Sequence, residues 1–450
     1  MEPEFDIVTP AELAVRHART LRPGRRILSL DILHNMEELS SIRGEWNALA
    51  DRCRATAFQR FEWNELWWKH LGWGPNRSLR VVVARDRSTI VGIMPLFLEI
   101  EYLPGLRPLK RLRLLGSAVR RSGRYTPVSE FGASDFLDFI IHPGEETRVC
   151  GAFVTFLREH PSLYDEVVLE HVPEEGVVKT EFLPLALQAG FPCEPKRSDV
   201  CPRLEAPSSF EEFLAGLRPG VRRRLTQAMN ASRFGGKVTT ETVPPERYSE
   251  AFRELVNLHQ ARWNRLGFPG LFSDPHYERF LDDLLRTYGK DGWIWFLSAR
   301  SGDACVASRV AFRCGGRYYD YLSGFEDRAP WAKLRPGTAL LCMLLQDAAH
   351  SENGIVEFLR GKERYKMELT SDASFNWKVT LVNPWSRGTI RMGLYRWLRA
   401  GRRLLVLLSK ERELFLLQYR RSGASGCLPG YVRFRAVSFF NHCFRRSADE

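Results

Sequence analysis

The stretch from Glu357 to Leu369, EFLRGKERYKMEL, gathers ionisable side chains at the end of a predicted strand, GIVEF. A charged group at such a place is costly to bury without a partner, so each one must be paired or reach water. Glu357 is a candidate base or orienter of an acceptor nucleophile, with Arg360 or Lys366 as its partner. Gly361 lets backbone or a ligand pass close to the strand end. The alternative is an internal network in which Glu357 and Lys366 satisfy each other.

A second candidate site lies where the loop EDRAPWAKLRPG becomes the predicted helix TALLCMLLQDAAH. Backbone N–H groups and the positive end of the helix dipole face outward at such a junction. A phosphate can dock there, held by Lys333, Arg335, Gly337 and Thr338. An ordinary Pro-Gly turn with Thr338 as the N-cap residue explains the same sequence, and both interpretations stay open.

Polar and aromatic residues of neighbouring predicted elements can line the same cleft. Asp320 and Ser323 belong to the predicted strand RYYDYLSGF, and His259, Arg262 and Trp263 belong to the helix LVNLHQARWNRLG before it. All five, together with Arg360 and Gly361, are candidates for substrate binding. His259 also fits an ordinary position on a helix face.

The elements that must position these residues occur twice in the chain. VVVARDRSTIVGIMPLF, from Val81, and FLSARSGDACVASRVAF, from Phe296, align without a gap, and both are typical of hairpins with a polar turn. Each is preceded by an aromatic-rich helix and followed by a strand, a helix and a further strand. In the first copy these are LDFII, FVTFLREH and DEVVLEHV. Five elements repeated in order indicate a duplication.

The sequence therefore predicts an α+β fold with two domains, residues 26–195 and 196–385, between an N-terminal arm (1–25) and a basic C-terminal tail (386–450). A chain of 450 residues has room for more than one apolar core. The Pro- and Ser-rich stretch PCEPKRSDVCPRLEAPSS is predicted to cross between the domains.

Several function classes are disfavoured. The nine cysteines are scattered without C-x-x-C or His/Cys ligand spacing, which argues for a reducing compartment and against a metal site. The chain has no Walker loop, H-E-x-x-H or G-x-S-x-G motif. The stretch MEPEFDIVTPAELAV lacks an apolar signal region, and no run approaches the roughly 18 apolar residues of a spanning helix. These features predict a cytoplasmic protein.

Four segments carry a resemblance to a known family: TAFQRFEWNELWWKHLG, GLRPGVRRRLTQAMNASRFGGKV, RPGTALLCMLLQDA and EFLRGKERYK. The order of elements resembles the GNAT acyltransferase fold. The segments look like the CelD/BcsL-like acetyltransferases of bacterial cellulose and exopolysaccharide synthesis, relatives of Fem-type aminoacyltransferases with paired GNAT domains. The resemblance covers residues 30–385, and EFLRGKERYK is its most specific part. The family more often has Asp in place of Glu357 and Trp in place of Leu369.

The resemblance implies two adjacent strands that part around an acyl-CoA donor, with the donor's pyrophosphate on the N-terminus of the next helix. It implies acyl transfer, most simply acetyl transfer from acetyl-CoA, to an amine or hydroxyl of a sugar or polysaccharide precursor. Tyr365 is then the candidate acid for the departing thiolate, beside Glu357 and Lys366 as catalytic candidates. Fem-like transfer from aminoacyl-tRNA and a non-catalytic scaffold in an exopolysaccharide complex stay open as alternatives.

Positive charge is concentrated in two segments. Residues 387–450 contain 14 Lys and Arg against four Asp and Glu, so this tail carries most of the formal charge of +12. It is predicted to be a basic amphipathic helix that contacts an anionic membrane peripherally, or a solvated helical face. The segment RPGVRRRLTQAMNASRFGGK can bind the 3′-phosphate of coenzyme A, an anionic glycan carrier or, in the Fem-like alternative, tRNA. No other nucleic acid is expected.

Overall fold

The structure is a computed structural model that describes residues 27–102, 107–119, 126–207, 209–234, 238–351 and 354–386, with a few positions between 408 and 423. The predicted N-terminal arm and nearly all of the predicted basic tail lie outside the described residues. Helices and strands are mixed along the described chain, which confirms the α+β class. Among the described helices, none is long and apolar enough to cross a bilayer.

The N-terminal half consists of short helices and strands. Its helices are α1 (Met36–Ser41), α2 (Arg43–Arg52), α3 (Phe61–Trp67), α4 (Pro127–Phe131), α5 (Glu146–Glu159) and α6 (Leu183–Gln188). Its strands are β1 (Ser29–Leu33), β2 (Arg77–Leu79), β3 (Val81–Asp86), β4 (Thr89–Met94), β5 (Leu96–Glu101), β6 (Leu109–Leu114), β7 (Ile140–Ile141) and β8 (Glu166–Pro173).

Longer elements make up the C-terminal half. Its helices are α7 (Phe210–Gly216), α8 (Pro219–Phe234), α9 (Tyr248–Arg265), α10 (Pro275–Tyr288), α11 (Trp331–Leu334), α12 (Pro336–Ala349) and α13 (Arg364–Leu369). Its strands are β9 (Cys193–Glu205), β10 (Thr239–Thr242), β11 (Ile294–Ser301), β12 (Ala304–Cys314), β13 (Arg317–Phe325), β14 (Ile355–Glu357) and β15 (Ala373–Val382).

The predicted repetition of elements is confirmed. The hairpin β11–β12 is followed by β13, α12 and β14, and the hairpin β3–β4 is followed by β7, α5 and β8 after an insertion that contains β5, β6 and α4. The hairpin turns also match. Arg87 and Gly302, which the gapless alignment equates, both adopt a left-handed backbone, with φ of 58° and 57°. Glycine adopts this conformation freely, whereas the arginine at the same place is strained.

The strand predicted at LDFII lies at the expected place but is only two residues long. Phe136 before it has φ of 50°. The buried carboxylate of Asp138 accepts hydrogen bonds from backbone N–H groups, including those of Val177 (2.6 Å) and Val178 (2.8 Å). These contacts hold the segment before β7 away from an extended strand.

The strands form a four-stranded sheet, β1-β3-β4-β7, and an eleven-stranded sheet, β10-β11-β12-β13-β14-β9-β15-β8-β6-β5-β2. The large sheet joins the two halves, because β9 pairs with β14 and β15 while β15 pairs with β8. The Pro- and Ser-rich segment predicted to cross between domains is therefore a central strand, β9. Strand β8, which pairs with β15 on one side, pairs in parallel with β6 on the other.

Two apolar cores enclose the large sheet around β13. The larger extends across both halves and contains the tryptophans of the first aromatic helix, Trp63 and Trp67. The smaller lies under α12 and includes Leu340 and Val356. At Gly324, β13 passes so close to α9 that an added Cβ would lie 2.7 Å from a backbone oxygen of that helix. Strand β13 is thus packed between α9 and α12.

Candidate active site

The strands β13 and β14 run in parallel and pair at three positions only. The last pair is Tyr319 and Glu357, after which β14 ends while β13 continues to Phe325. Within the described residues, the backbone of Asp320–Phe325 pairs with β12 and with no strand on the other side. We call the resulting gap the slot. It is bounded by Asp320–Phe325 of β13 and by residues 358–361, which follow β14. The pairing of β13 with β14 thus ends at Glu357, where the resemblance leads us to expect that the two strands part.

A β-bulge lies where the slot opens. Two consecutive residues of β12 face Asp320 and Leu322, so Tyr321 is the extra residue of β13. A bulge reverses the alternation of side chains along a strand. Leu322 joins the larger core, and Ser323 therefore points to the opposite face, the face of α12 that Asp320 also occupies. The bulge brings Asp320 and Ser323, two predicted substrate-binding residues, onto one face.

Arg309 of β12 forms a buried ion pair with Asp320 on that face. One guanidinium nitrogen lies 2.5 and 2.6 Å from the two carboxylate oxygens, and another lies 3.5 Å from the carbonyl oxygen of Gly337. Burial by itself lowers the pKa of Arg309, but the carboxylate of Asp320 outweighs it and the pKa is raised. The pair fixes a charged group directly below the start of α12.

Arg309 was not among the residues predicted from the sequence. A signal for it exists, because Arg309 stands in an apolar strand where the gapless alignment places Met94 in the first copy. A charge that appears in one copy only, inside a predicted strand, marks a site that the other copy lacks.

The helix α12 begins at the edge of the slot. Arg335 caps it in a left-handed conformation with φ of 50°, and Pro336 occupies the first helical position. The hypothesis that Thr338 is the N-cap is wrong, because Thr338 lies inside the first turn and its N–H donates to the carbonyl of Arg335. Lys333 and Arg335 are exposed, whereas Gly337 is buried so close to Phe325 that an added Cβ would lie 2.7 Å from the ring. The four predicted phosphate-binding residues are thus together at the start of α12.

Glu357 lies at the last paired position, where the strands part. It is only 3% exposed, and its carboxylate forms an ion pair with Arg317 at the start of β13. The expected partners, Arg360 and Lys366, were therefore wrong. Burial raises the pKa of Glu357, and Arg317 lowers it less than burial raises it. The other carboxylate oxygen, Oε2, is buried and has no hydrogen-bond partner among the described residues.

Tyr365 of α13 lies beside the Arg309–Asp320 pair. The residue is 40% exposed, but its hydroxyl is directed at the buried pair. Burial and the charge of Asp320 raise the pKa of Tyr365, and Arg309 lowers it by less. The hydroxyl therefore stays protonated at neutral pH.

Lys366 is buried and fastens the loop between β14 and α13. Its ammonium group donates to the carbonyl oxygen of Arg360 at 2.8 Å and pairs with Glu363 at 2.9 Å. Gly361 in this loop has φ of 120°, and a Cβ there would collide with the carboxylate of Glu363. The guanidinium of Arg360 points to the N-terminal half, where it meets Asp135 at 2.5 Å.

The three candidates of α9 lie near the far end of β13. His259 is buried against Phe272, and burial lowers its pKa to about 4. Arg262 lies 4.7 Å above the ring of Phe325 and 3.4 Å from the carboxylate of Asp327. Trp263 is partly buried and packs beside His259. These residues border the end of the slot rather than its opening point at Glu357.

No metal centre is formed by the described residues, since no group of three or more His, Cys, Asp and Glu side chains converges there. A cavity of about 420 Å³ lies at the opposite end of β13, lined by residues that include Asp51, Trp293 and Gly316. This cavity is separate from the slot.

Comparison with known proteins agrees with this geometry. Residues 219–367 match the family of acetyltransferase (GNAT) domains. This segment is an acyltransferase domain of the GNAT type. It contains β13, α12, β14 and most of α13, the elements that form the slot. No curated protein matches the sequence.

Solved structures show a similar fold at low sequence identity. The crystal structure of FemX has 9% identity and a TM-score of 0.50, and the match covers 78% of this chain and 98% of FemX. L-PGS from Bacillus licheniformis has 13% identity and a TM-score of 0.44, over 80% of this chain and 96% of that one. A tandem GNAT protein from the clavulanic acid biosynthesis pathway has 13% identity and a TM-score of 0.38, over 80% and 100%. The fold of the two halves together is similar to that of FemX.

Proposed function

We propose that the chain is an acyl-CoA-dependent acyltransferase with two domains, residues 26–195 and 196–385, of which the second carries the working slot. The observation that carries the proposal is the parting of β13 from β14 directly after Tyr319 and Glu357. A buried carboxylate with an unpartnered oxygen stands at that point. The GNAT match over residues 219–367 supports the reaction class.

The donor is proposed to lie in the slot with its pyrophosphate at the start of α12. Lys333 and Arg335 supply positive charge there, and the first turn supplies the helix dipole. Gly337 and Thr338 line the same turn. Acetyl-CoA is the simplest donor, and the protein contributes mainly by positioning, because a thioester is already activated.

Transfer requires the acceptor's amine or hydroxyl to attack the thioester carbonyl, so that a C–N or C–O bond forms and the C–S bond breaks. Glu357 accepts the proton that the acceptor loses. Its raised pKa brings its basicity closer to neutral pH, which suits a general base. Tyr365 donates its proton to the departing thiolate, and Lys366 holds the loop that carries Tyr365. Exchange with solvent restores both groups.

The acceptor is proposed to be a sugar or polysaccharide precursor. The resemblance of EFLRGKERYK to exopolysaccharide-synthesis acetyltransferases supports this. So does the lining of the slot, where Asp320, Ser323 and Arg262 offer polar groups and Trp263 an aromatic face. We place the protein in the cytoplasm, with the basic tail in peripheral contact with an anionic membrane.

A second candidate is Fem-like transfer of an aminoacyl group from tRNA. Three exposed arginines, Arg218, Arg222 and Arg223, lie at and before the start of α8, a helix that packs along α12. Such a row suits a phosphate backbone. The FemX-like fold is compatible with this alternative.

Calorimetry of the full chain with acetyl-CoA and with an aminoacyl-tRNA tests the two. The proposal predicts micromolar binding of acetyl-CoA with one site per chain. Binding of tRNA without acetyl-CoA would establish the second candidate instead. A chain that binds neither would act as a scaffold, and the enzymatic proposal would be refuted.

A further inference from the structure

One short segment of the N-terminal half lies across the slot. Residues 131–135, FGASD, which we call the strap, contact the C-terminal half through their backbone. The hydroxyl of Tyr321 donates to the carbonyl oxygen of Ala133 at 2.7 Å. The guanidinium of Arg360 donates to the carbonyl oxygens of Phe131 at 2.5 Å and Ser134 at 3.2 Å.

The two residues that hold the strap come from the two sides of the slot. Tyr321 is the bulged residue of β13, and Arg360 is the third residue after β14. Tyr321 packs into the larger core, against Trp63, and so lies on the face opposite α12. The strap therefore connects the two edges of the slot on the face away from the proposed pyrophosphate site.

The strap itself is firmly held. The side chain of Ser134 accepts a hydrogen bond from the indole N–H of Trp63 at 2.8 Å. Gly132 has φ of 73° and lies so near Ala118 that an added Cβ would be 3.1 Å from its backbone nitrogen. The strap ends at the buried carboxylate of Asp135, which pairs with Arg360. Little of the strap can move independently of its neighbours.

We propose that the strap sets the width of the slot and that Tyr321 and Arg360 are positioning residues through which the N-terminal half controls donor binding. The inference rests on the proposed function, since it assumes that an acyl-CoA enters the slot. Insertion of a pantetheine chain between β13 and β14 changes the distance between Tyr321 and Arg360. Because both side chains bond to the same backbone segment, donor binding and strap order are thermodynamically coupled.

Amide hydrogen exchange of the full chain, with and without saturating acetyl-CoA, measures this coupling. Acetyl-CoA is expected to slow exchange of the strap peptide at least threefold in the wild type. Tyr321→Phe removes the hydroxyl and keeps the aromatic ring. Arg360→Lys keeps a positive charge that can pair with Asp135, but it loses the guanidinium that donates to two carbonyl oxygens of the strap. In each variant, acetyl-CoA is expected to bind but to slow exchange of the strap peptide by half as much as in the wild type, or less.

A matched control exists at another contact between the halves. Asp283 of α10 pairs with Lys69 at 3.0 Å and with His70 at 2.7 Å. It lies about 13 Å along α10 from Asp274, which contacts Thr126 just before the strap. Asp283→Asn is expected to leave the exchange response of the strap unchanged.

Three results would overturn the inference. They are an unchanged strap in the wild type at saturating acetyl-CoA, a full response in both strap variants, and an equal loss in Asp283→Asn. Calorimetry separates these results from failure of the proposed function. If the wild type binds no acetyl-CoA, the proposed function falls and the inference falls with it.

Discussion

The two halves of the chain share an order of elements, but corresponding strands have different neighbours in the sheets. In the C-terminal half β14 lies beside β13, whereas in the N-terminal half β8 lies beside β6 and not beside β7, the counterpart of β13. The hairpin β5–β6 is inserted between β4 and β7, where the C-terminal half has only the short turn from β12 to β13. A duplicated set of elements can therefore keep its order while its strands take different neighbours in the two copies.

Electrostatics differ between the halves in the same way. The helix α5 begins with Glu145 and Glu146, and Arg148 in its first turn pairs with Glu145 at 3.0 Å. The corresponding helix α12 is preceded by the exposed cations Lys333 and Arg335. An anion is favoured at the start of α12 and repelled at the start of α5. Only one of the two helix termini suits a pyrophosphate.

The largest expected effect concerns Glu357, the carboxylate at the parting point. Glu357→Gln is expected to lower turnover by about 10²-fold to 10⁴-fold, because a general base is lost. Coenzyme A release in the presence of an amino-sugar acceptor measures this. Wild-type kcat/KM should fall as the pH drops through the raised pKa of Glu357, since a protonated carboxyl cannot accept a proton. The variant should lack this limb.

Thermal unfolding provides the control for that variant. A carboxyl whose pKa is raised by folding stabilises the folded protein at low pH, and the stabilisation is lost as pH rises through the folded pKa. Glu357→Gln should therefore be no less stable than the wild type at pH 8. A lower Tm with unchanged turnover would identify Glu357 as part of a structural network.

Glu170 of β8 is a buried carboxylate whose pKa is shifted in the opposite direction from that of Glu357. Burial raises its pKa, but Arg113 and Lys378 outweigh burial and the pKa is lowered. Its contribution to stability is present at neutral pH and is lost as the pH falls below the ordinary range of a carboxyl. Glu170→Gln should cost about 3 kcal/mol of unfolding free energy at pH 7, measured by urea denaturation, with unchanged activity of the folded fraction. A loss of specific activity would contradict the division of roles between the halves.

Charge reversal at the start of α12 should weaken donor binding by a smaller amount. Lys333→Glu combined with Arg335→Glu is expected to raise the Kd for acetyl-CoA at least tenfold, or about 1.4 kcal/mol. Glu146→Lys at the start of α5 is the matched control and should leave the Kd within twofold. Calorimetry on the three proteins decides, and an effect of Glu146→Lys equal to that of the double variant would refute the assignment of the site to α12.

The smallest expected effect concerns His259. Because burial lowers its pKa to about 4, this imidazole is neutral from pH 6 to pH 8. His259→Gln should change the pH dependence of kcat/KM over that range by less than twofold. A titration near pH 6.5 that disappears in the variant would show that the ring ionises during turnover.

The sequence predicted the elements well because their signals are local. Alternating apolar residues and polar turns identify both hairpins, and Ser209, a residue type favoured at helix N-termini, caps α7. The grouping of Lys333, Arg335 and Gly337 was also predictable, since these residues are neighbours in the chain. The functional roles of these residues stay predictions that the experiments above address.

Contacts between distant segments could not be predicted in the same way. Glu357 pairs with Arg317, 40 residues away, because register in the parallel pair places the two strands side by side. Arg360 likewise meets Asp135 in the other half. Such pairings depend on which strands become neighbours. The placement of β9 and β15 between β14 and β8 has no local signature in the sequence.

The positions of β9 and β15 in the large sheet have a consequence for folding during synthesis. Strand β8 borders β15, which begins only at Ala373, so the sheet edge left by the N-terminal half stays open until almost the whole chain has emerged. An open edge invites pairing with other chains. Strand β15, the last strand within the described residues, joins both halves, and the molecule should therefore melt in a single cooperative step.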